Sequence, residues 1–348
     1  MSGQNILLIG GTLNQTRAML SVGSQLQEHN CYYTPFYCDG LLRWVCDRGW
    51  LDFTAMAGPL RERSRRFLRQ AGVAIDDRGE GREYDLIVTC TDLIIQQNIK
   101  RKRIVLVQEG LTEPEGWVYQ LVKHLGVPRV LGNTAAFGLS DEYEVFCVAS
   151  EGYRDLFLAK GARPEKVLVT GIPNFDNAQA FLNNDFPHRD FVLIATSNAR
   201  ETFKKDNRKQ FIERALQVAD GRRVIFKLHP AERFDRATRE IRAIMPDAMI
   251  LTEGNTEHMI ANCSVLVAQY SSVAFTAAAL GKEVYSYIDP GLLRRLLPIQ
   301  NGGTSGKRIA DVCRARLSQP DSSPVKEGWL RAEIKGAKHP KRAQTGWS

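Results

Sequence analysis

Two short segments bring together side chains suited to phosphate chemistry. Lys227-Leu228-His229-Pro230 offers an ammonium and a ring that carries or releases a proton near neutral pH, and Gln269-Tyr270-Ser271-Ser272-Val273-Ala274-Phe275 offers two adjacent hydroxyl donors. Each lies where an apolar β-type run gives way to a polar loop. The second continues into Ala277-Ala278-Ala279-Leu280-Gly281, a helix-forming stretch closed by glycine. In an open α/β sheet, ligands bind beyond the carboxyl ends of the strands, and a helix start there presents unpaired N–H groups and a positive dipole end to an anion. The two segments therefore predict a diphosphate-binding enzyme. Taken singly, His229 also fits a packed histidine. Lys227, expected on the same strand face, and the serine pair favour the phosphate site, whereas His124, His188 and His258 have no such company.

A base for hydroxyl chemistry is available in the first half. Val107-Gln108-Glu109-Gly110-Leu111-Thr112 follows a strand-like run, and Glu113 and Glu115 come next around Pro114. Carboxylates crowded at a partly buried loop have raised pKa values, as a general base for an acceptor hydroxyl requires. Glu109 is the predicted base, with a surface or helix-capping acid as the alternative. Gly10-Gly11-Thr12-Leu13-Asn14-Gln15-Thr16-Arg17 is a glycine turn leading into a helix, and it lacks the spaced glycines of a dinucleotide fingerprint. An NAD enzyme is thus excluded. Gly11, Thr12 and Arg17, with Glu113, are candidates for a loop at an acceptor cleft, a plain tight turn being the alternative. No Asp-x-Asp pair or metal-spaced histidine cluster occurs, so neither an essential metal nor another cofactor is expected.

The elements that must position these residues alternate β-branched runs with amphipathic stretches, which predicts an α/β protein with mainly parallel sheets. Candidate strands are 6–10, 32–38, 85–91, 103–109, 144–150 and 166–172, then 191–196, 222–229, 248–252, 264–270 and 283–289. Helix-like spacing marks 151–160, 202–219, 231–245 and 306–317. Eleven strands are too many for one simple doubly wound sheet. Pro173, Asn183-Asn184 and Pro187 mark the break, giving a first domain 1–173, a linker 174–189, a second domain 190–317 and a loosely held tail 318–348.

With 348 residues, 43% hydrophobic and 25% charged, the chain is globular and long enough for two domains. No apolar run approaches the ~20 residues that span a bilayer, and Met1-Ser2-Gly3-Gln4-Asn5 has no basic flank, so a cytoplasmic protein is expected. Its seven scattered cysteines read as reduced, mostly buried thiols. The net charge of +8 is concentrated partly at Arg61, Arg63, Arg65, Arg66 and Arg69 and at Lys100-Arg101-Lys102-Arg103. Peripheral contact with an anionic membrane is one consequence of such clusters, and a solvated face is the other. Nucleic-acid binding is disfavoured, because only Phe67 is interleaved among the basic residues.

The order of further segments carries a resemblance. Val148-Ala149-Ser150-Glu151, Gly161 to Val167 and Val169-Thr170-Gly171-Ile172-Pro173 resemble the hinge side of GT-B glycosyltransferases. The second half is similar to the nucleotide-binding domain of that fold, nearest to CDP-glycerol glycerophosphotransferases and UDP-N-acetylglucosamine 2-epimerases, and the resemblance spans residues from about 145 to 315 with a weaker echo at the N-terminus. The resemblance implies two Rossmann-like domains facing a central cleft, with donor diphosphate held by Lys227 to Pro230 and by Tyr270-Ser271-Ser272. Thr196-Ser197-Asn198 is placed like a further phosphate-side loop, and Leu297 to Gly303 like the segment after the last strand. It also implies a glycosyltransferase that uses a nucleotide-sugar donor and a glycan or lipid-linked acceptor, in envelope or capsule glycan assembly, with His229 and Glu109 in the chemistry. An epimerase or a glycerophosphotransferase acting on a CDP donor are the alternatives. The chain departs from the pattern at Gln269 and Thr276, where an acid is usual in the glycerophosphotransferases. Phe275 and Thr276 stand where epimerases carry a glutamate pair, and Val107 stands where they carry a histidine. Glu253 or Glu257 could supply the missing ribose contact.

Overall fold

Runs of Val, Ile and Leu become eleven strands among the described residues, and these pair into two separate, wholly parallel sheets. The computed structural model describes residues 3–52, 54, 56–125, 129–202 and 206–319. In chain order the first part holds β1 (Asn5–Ile9), α1 (Leu13–Gly23), β2 (Asn30–Thr34), α2 (Gly40–Asp47), α3 (Gly58–Gln70), β3 (Leu86–Thr89) and β4 (Ile104–Val107). It continues with α4 (Trp117–Leu125), β5 (Val145–Val148), α5 (Glu151–Lys160) and β6 (Val167–Val169). The sheet order is β2-β1-β3-β4-β5-β6. Every residue of β3, β4 and β5 is buried, which is why these strands read as unbroken apolar runs rather than as alternating patterns.

The second part holds β7 (Val192–Ala195), α6 (Arg208–Ala219), β8 (Val224–Lys227), α7 (Phe234–Arg242), β9 (Met249–Leu251), α8 (Thr256–Asn262), β10 (Val265–Ala268), α9 (Val273–Ala279), β11 (Glu283–Tyr285) and α10 (Pro290–Leu296). Its sheet order is β11-β10-β7-β8-β9. Val192, Ile194, Phe226, Val265 and Val267 of this sheet pack against Phe211, Ile212 and Ala215 of α6 and Ala237 and Ile241 of α7 in one core.

The chain divides into two compact units, the first formed by 3–176 together with 303–319 and the second by 177–302. This corrects two expected boundaries. Residues 174–189 are not a free linker: Ala178 is buried, and Asn184 accepts a 2.6 Å hydrogen bond from Asn262 of α8. The last helix, α11 (Ser305–Leu317), belongs to the first unit and not to the second. Ile309, Ala310, Val312 and Cys313 of α11 complete the core around β1, β3 and α1. Gly306 permits that approach, since a Cβ there would lie 2.4 Å from Ser21 Oγ of α1. Beyond residue 319 the predicted tail lies outside the described residues.

The strands are shorter than their apolar runs because the sheet ends where backbone pairing ends. β2 begins two residues earlier than expected and stops at Thr34, ahead of Pro35, which cannot donate to a ladder. Helix α6 likewise starts six residues later than predicted and ends as predicted, and α7 is shorter than its predicted span at both ends. All seven cysteines are free, with five of them buried. No helix among the described residues is long and apolar enough to cross a membrane.

Candidate functional site

In each unit the strand order reverses beside the first strand of its sheet, between β1 and β3 in the first and between β7 and β10 in the second. Loops beyond the carboxyl ends of strands at such a reversal diverge and leave a crevice for ligand. Most of the predicted site residues fall on carboxyl-end loops, Lys227 at the end of β8 and Arg17 within α1 being the exceptions.

In the second unit, Thr196, Ser197 and Asn198 follow β7, His229 and Pro230 follow β8, and Tyr270, Ser271 and Ser272 follow β10. A buried charge network ties the three loops together. Ser197 Oγ donates to Gln269 Oε1, and Gln269 Nε2 donates to Asp206 Oδ1 at 2.7 Å. Asp206 pairs with Arg208 at 3.1 Å, and Arg208 pairs with Glu232 at 2.8 Å, all three side chains being almost wholly buried. Glu232 Oε2 in turn accepts from His229 N at 2.8 Å and from Thr196 Oγ1. Every buried charge here has a partner of opposite sign, which is the condition for holding charge away from water. Gln269 is thus the amide that couples the β7 and β10 loops, not an empty place in an acidic pattern. Sequence reasoning missed Asp206, Arg208 and Glu232. Arg208 carried one signal, a cation in the first turn of a helix, where the dipole disfavours positive charge.

His229 is half-buried, and its Nδ1 accepts the Ala231 N–H at 3.1 Å, which leaves Nε2 to carry the proton of the neutral ring. Burial pushes its pKa below the usual value, Lys227 adding to the shift and Glu232 opposing it. Lys227 is placed differently from its predicted role. β8 ends at this residue, and its Nζ donates to Leu228 O at 2.7 Å and Thr252 O at 3.1 Å, with the residue only 4% exposed. The lysine binds the loops of its own sheet; burial lowers its pKa, while Glu232, Glu253 and Glu257 oppose the shift.

The serine pair stands apart from this network. Ser271 and Ser272 are half-buried, and their hydroxyls make no hydrogen bond to any described residue. Their carbonyls accept from Ala274 and Phe275 to start α9, while Ser272 makes no side-chain cap. With seven residues, α9 is too short for its dipole to make an anion site by itself. Phe275 and Thr276 are buried in the helix.

In the first unit, Glu109 follows β4 and reaches the loop after β1. Its Oε1 accepts from Thr12 Oγ1 at 2.7 Å and its Oε2 from Gln15 Nε2 at 2.6 Å. Thr12 and Gln15 also form a capping box at the start of α1, with Thr12 N donating to Gln15 Oε1 at 3.0 Å. Gly11 leaves space for it, since a Cβ there would sit 1.8 Å from Gln15 Oε1. Burial raises the Glu109 pKa above the ordinary carboxylate range, the bonds from Thr12 and Gln15 opposing the shift. The expected crowding of carboxylates is not the cause. Glu115 pairs with Lys160 at 3.8 Å, and the Glu113 backbone N–H donates to Thr134. Arg17 is also elsewhere, its guanidinium lying over the Phe67 ring of α3 at 5.7 Å.

The basic clusters are partly neutralised. Arg61 and Arg65 both bind Asp77 at 2.6 Å, Lys102 pairs with Glu83, and Arg103 pairs with Glu144. Among the described residues no group of three or more His, Cys, Asp or Glu side chains is arranged to hold a metal ion.

No protein-family model matches the sequence, and no curated protein matches it. Solved structures do share its fold. The UDP-GlcNAc 2-epimerase of Neisseria meningitidis, bound to UDP-GlcNAc, aligns with a TM-score of 0.59 and 13% identity over 89% of this chain and 100% of its own. The S. aureus MnaA structure with UDP aligns at 0.56 and 12% identity over 92% and 99% of the two chains. The wall teichoic acid polymerase TagF aligns at 0.50 and 11% identity over 90% and 89%. The chain thus has a GT-B-like α/β fold of two Rossmann-like parallel-sheet units, the fold of the UDP-GlcNAc 2-epimerases and of TagF.

Proposed function

We propose that this protein is a nucleotide-sugar-dependent glycosyltransferase, with the donor held by the second unit and the acceptor by the first. The observation that carries the donor site is that the Ser271 and Ser272 hydroxyls, beside the strand reversal between β7 and β10, bond to no described residue, whereas Ser197, Gln269 and Lys227 are tied to protein partners. Donors fixed before the ligand arrives cost no rearrangement when charge builds on a departing diphosphate. His229, neutral and protonated on Nε2, is a further donor from the β8 loop. Glu109, poised by burial and held by Thr12 and Gln15, takes the proton from an acceptor hydroxyl in this reading. Envelope or capsule glycan assembly is the setting of this reading, and TagF, which shares the fold, is a wall teichoic acid polymerase.

Titration of the full chain with UDP, GDP, CDP, CMP and ADP tests the donor site. One nucleotide class is expected to raise the melting temperature by about 5 °C at a hundredfold excess over its Kd. That rise should vanish in Ser272→Ala and His229→Ala. No rise with any nucleotide, in folded protein, would remove the donor site.

The epimerase reading is supported by the higher TM-scores of the epimerases. Against it stand Phe275 and Thr276, buried where the resemblance expects a glutamate pair. Incubation with UDP-GlcNAc alone separates the two: a new sugar nucleotide without an acceptor means epimerisation. Transfer of a phosphoryl group from a CDP donor would instead mark the glycerophosphotransferase chemistry.

A further inference from the structure

The region around α2 in the first unit places large apolar side chains in water. Leu41 is 76% exposed, Trp50 63%, Trp44 45% and Leu60 45%, four of the nine large hydrophobics found exposed among the described residues. No residue of α2 is buried. Trp44 and Trp50 meet edge to face at 5.8 Å, and Arg48 lies over the Trp44 ring at 3.5 Å. Leu41 shares the Trp44 face, one helical turn away. A globular protein rarely leaves such a contiguous patch to solvent unless something covers it.

The surrounding charge selects the occupant. Residues 40–70 contain seven arginines and three acids, a net +4 that is half of the +8 carried by the whole chain. Arg63 and Arg66 point outward from α3 with no acidic partner among the described residues. Between α2 and α3 lies a cavity of about 280 Å³ lined in part by Arg43, Arg61 and Arg78 together with Asp47 and Glu62. The ion pairs that Arg43 and Arg78 make there are long, 3.9–4.0 Å. Two copies meeting through this face would set arginine against arginine, because a two-fold interface repeats the same patch on both sides. A bilayer with anionic headgroups neutralises the arginines and buries the tryptophans at the depth where indole rings settle.

We propose that α2 and the turn carrying Trp50 form a membrane-surface contact, with the tryptophans and Leu41 inserted at the interface of an anionic phospholipid bilayer and Arg43, Arg63 and Arg66 on its headgroups. The contact does not depend on the transferase reading. It differs from attraction by the basic clusters alone, because the apolar side chains carry the insertion.

Flotation of the full chain with vesicles of phosphatidylglycerol in phosphatidylcholine, beside vesicles of phosphatidylcholine alone, tests it, with light scattering for the mass without lipid. Binding to the anionic vesicles is expected, weakening as salt rises, with a blue shift of tryptophan emission. The double variant Trp44→Ala/Trp50→Ala should bind about tenfold more weakly at an unchanged melting temperature. If that variant loses stability, Leu41→Gln supplies the test on a side chain that is 76% exposed. No vesicle binding, or binding indifferent to these substitutions, would overturn the proposal. So would a wild-type dimer that becomes monomeric in the double variant without ever floating, which would assign the face to a second copy of the chain.

Discussion

At the scale of single residues, Glu109 and His229 are tuned in opposite directions by the same cause, the removal of water. Glu109→Gln is expected to reduce transfer by about 10²–10⁴-fold while leaving nucleotide binding intact, since only the proton acceptor is lost. The wild-type rate should rise with pH through a pKa above the ordinary 4.5, and the variant should lack that limb. A retained rate and limb would take Glu109 out of the chemistry. For His229 the folded pKa lies below 6.5, so at falling pH the unfolded chain takes up the proton first. Its contribution to stability is therefore complete above pH 6.5 and is lost as pH falls from there through the folded value. Melting curves between pH 8 and pH 5 should fall more steeply for the wild type than for His229→Ala.

At the scale of elements, the loops of the second unit are held by paired charge and those of the first by a helix cap. Arg208→Met removes the cation between Asp206 and Glu232 and leaves the buried Glu232 without its ion pair, while Asp206 keeps Arg200 at 3.4 Å, an expected loss of about 3–5 kcal/mol by denaturant unfolding. Ser272→Ala touches no such network and should stay within about 0.5 kcal/mol of wild type while losing nucleotide binding. Equal destabilisation by both would mean that the serine is structural. Gly11→Ala should cost about 0.5–2 kcal/mol through the lost capping box, with Glu109 losing the fixed position of Gln15.

At the scale of the whole molecule, the last described helix is part of the first unit although it follows the second in sequence. A chain ending at Gly302 would strip Ile309, Val312 and Cys313 from the core around β1 and α1. Hydrogen exchange should then accelerate in β1, β3 and β4 and remain slow in β7, β8 and β10. Uniform slow exchange in both units would show that α11 contributes little.

The amino-acid sequence by itself determined the eleven strands, the α/β class and which polar residues stand on the loops that follow the strands. Short β-branched apolar runs alternating with amphipathic stretches fit parallel strands covered by helices, and turn residues mark where those runs stop. Glu109, His229 and the serine pair were legible for that reason, because a polar group directly after a buried strand sits at its carboxyl end. Tertiary structure alone decided which side chains are free. Lys227 reads as a ligand in sequence but is spent on the carbonyls of Leu228 and Thr252, while the Ser271 and Ser272 hydroxyls bond to no described residue. It also decided that Arg208 pairs with both Asp206 and Glu232, with Arg200 as a second cation on Asp206, and that α11 returns to the first unit. These are contacts between residues far apart in the chain. Local periodicity reports which face of an element is apolar, but the partner that covers that face, or pairs with a buried charge, is fixed only when the sheets close.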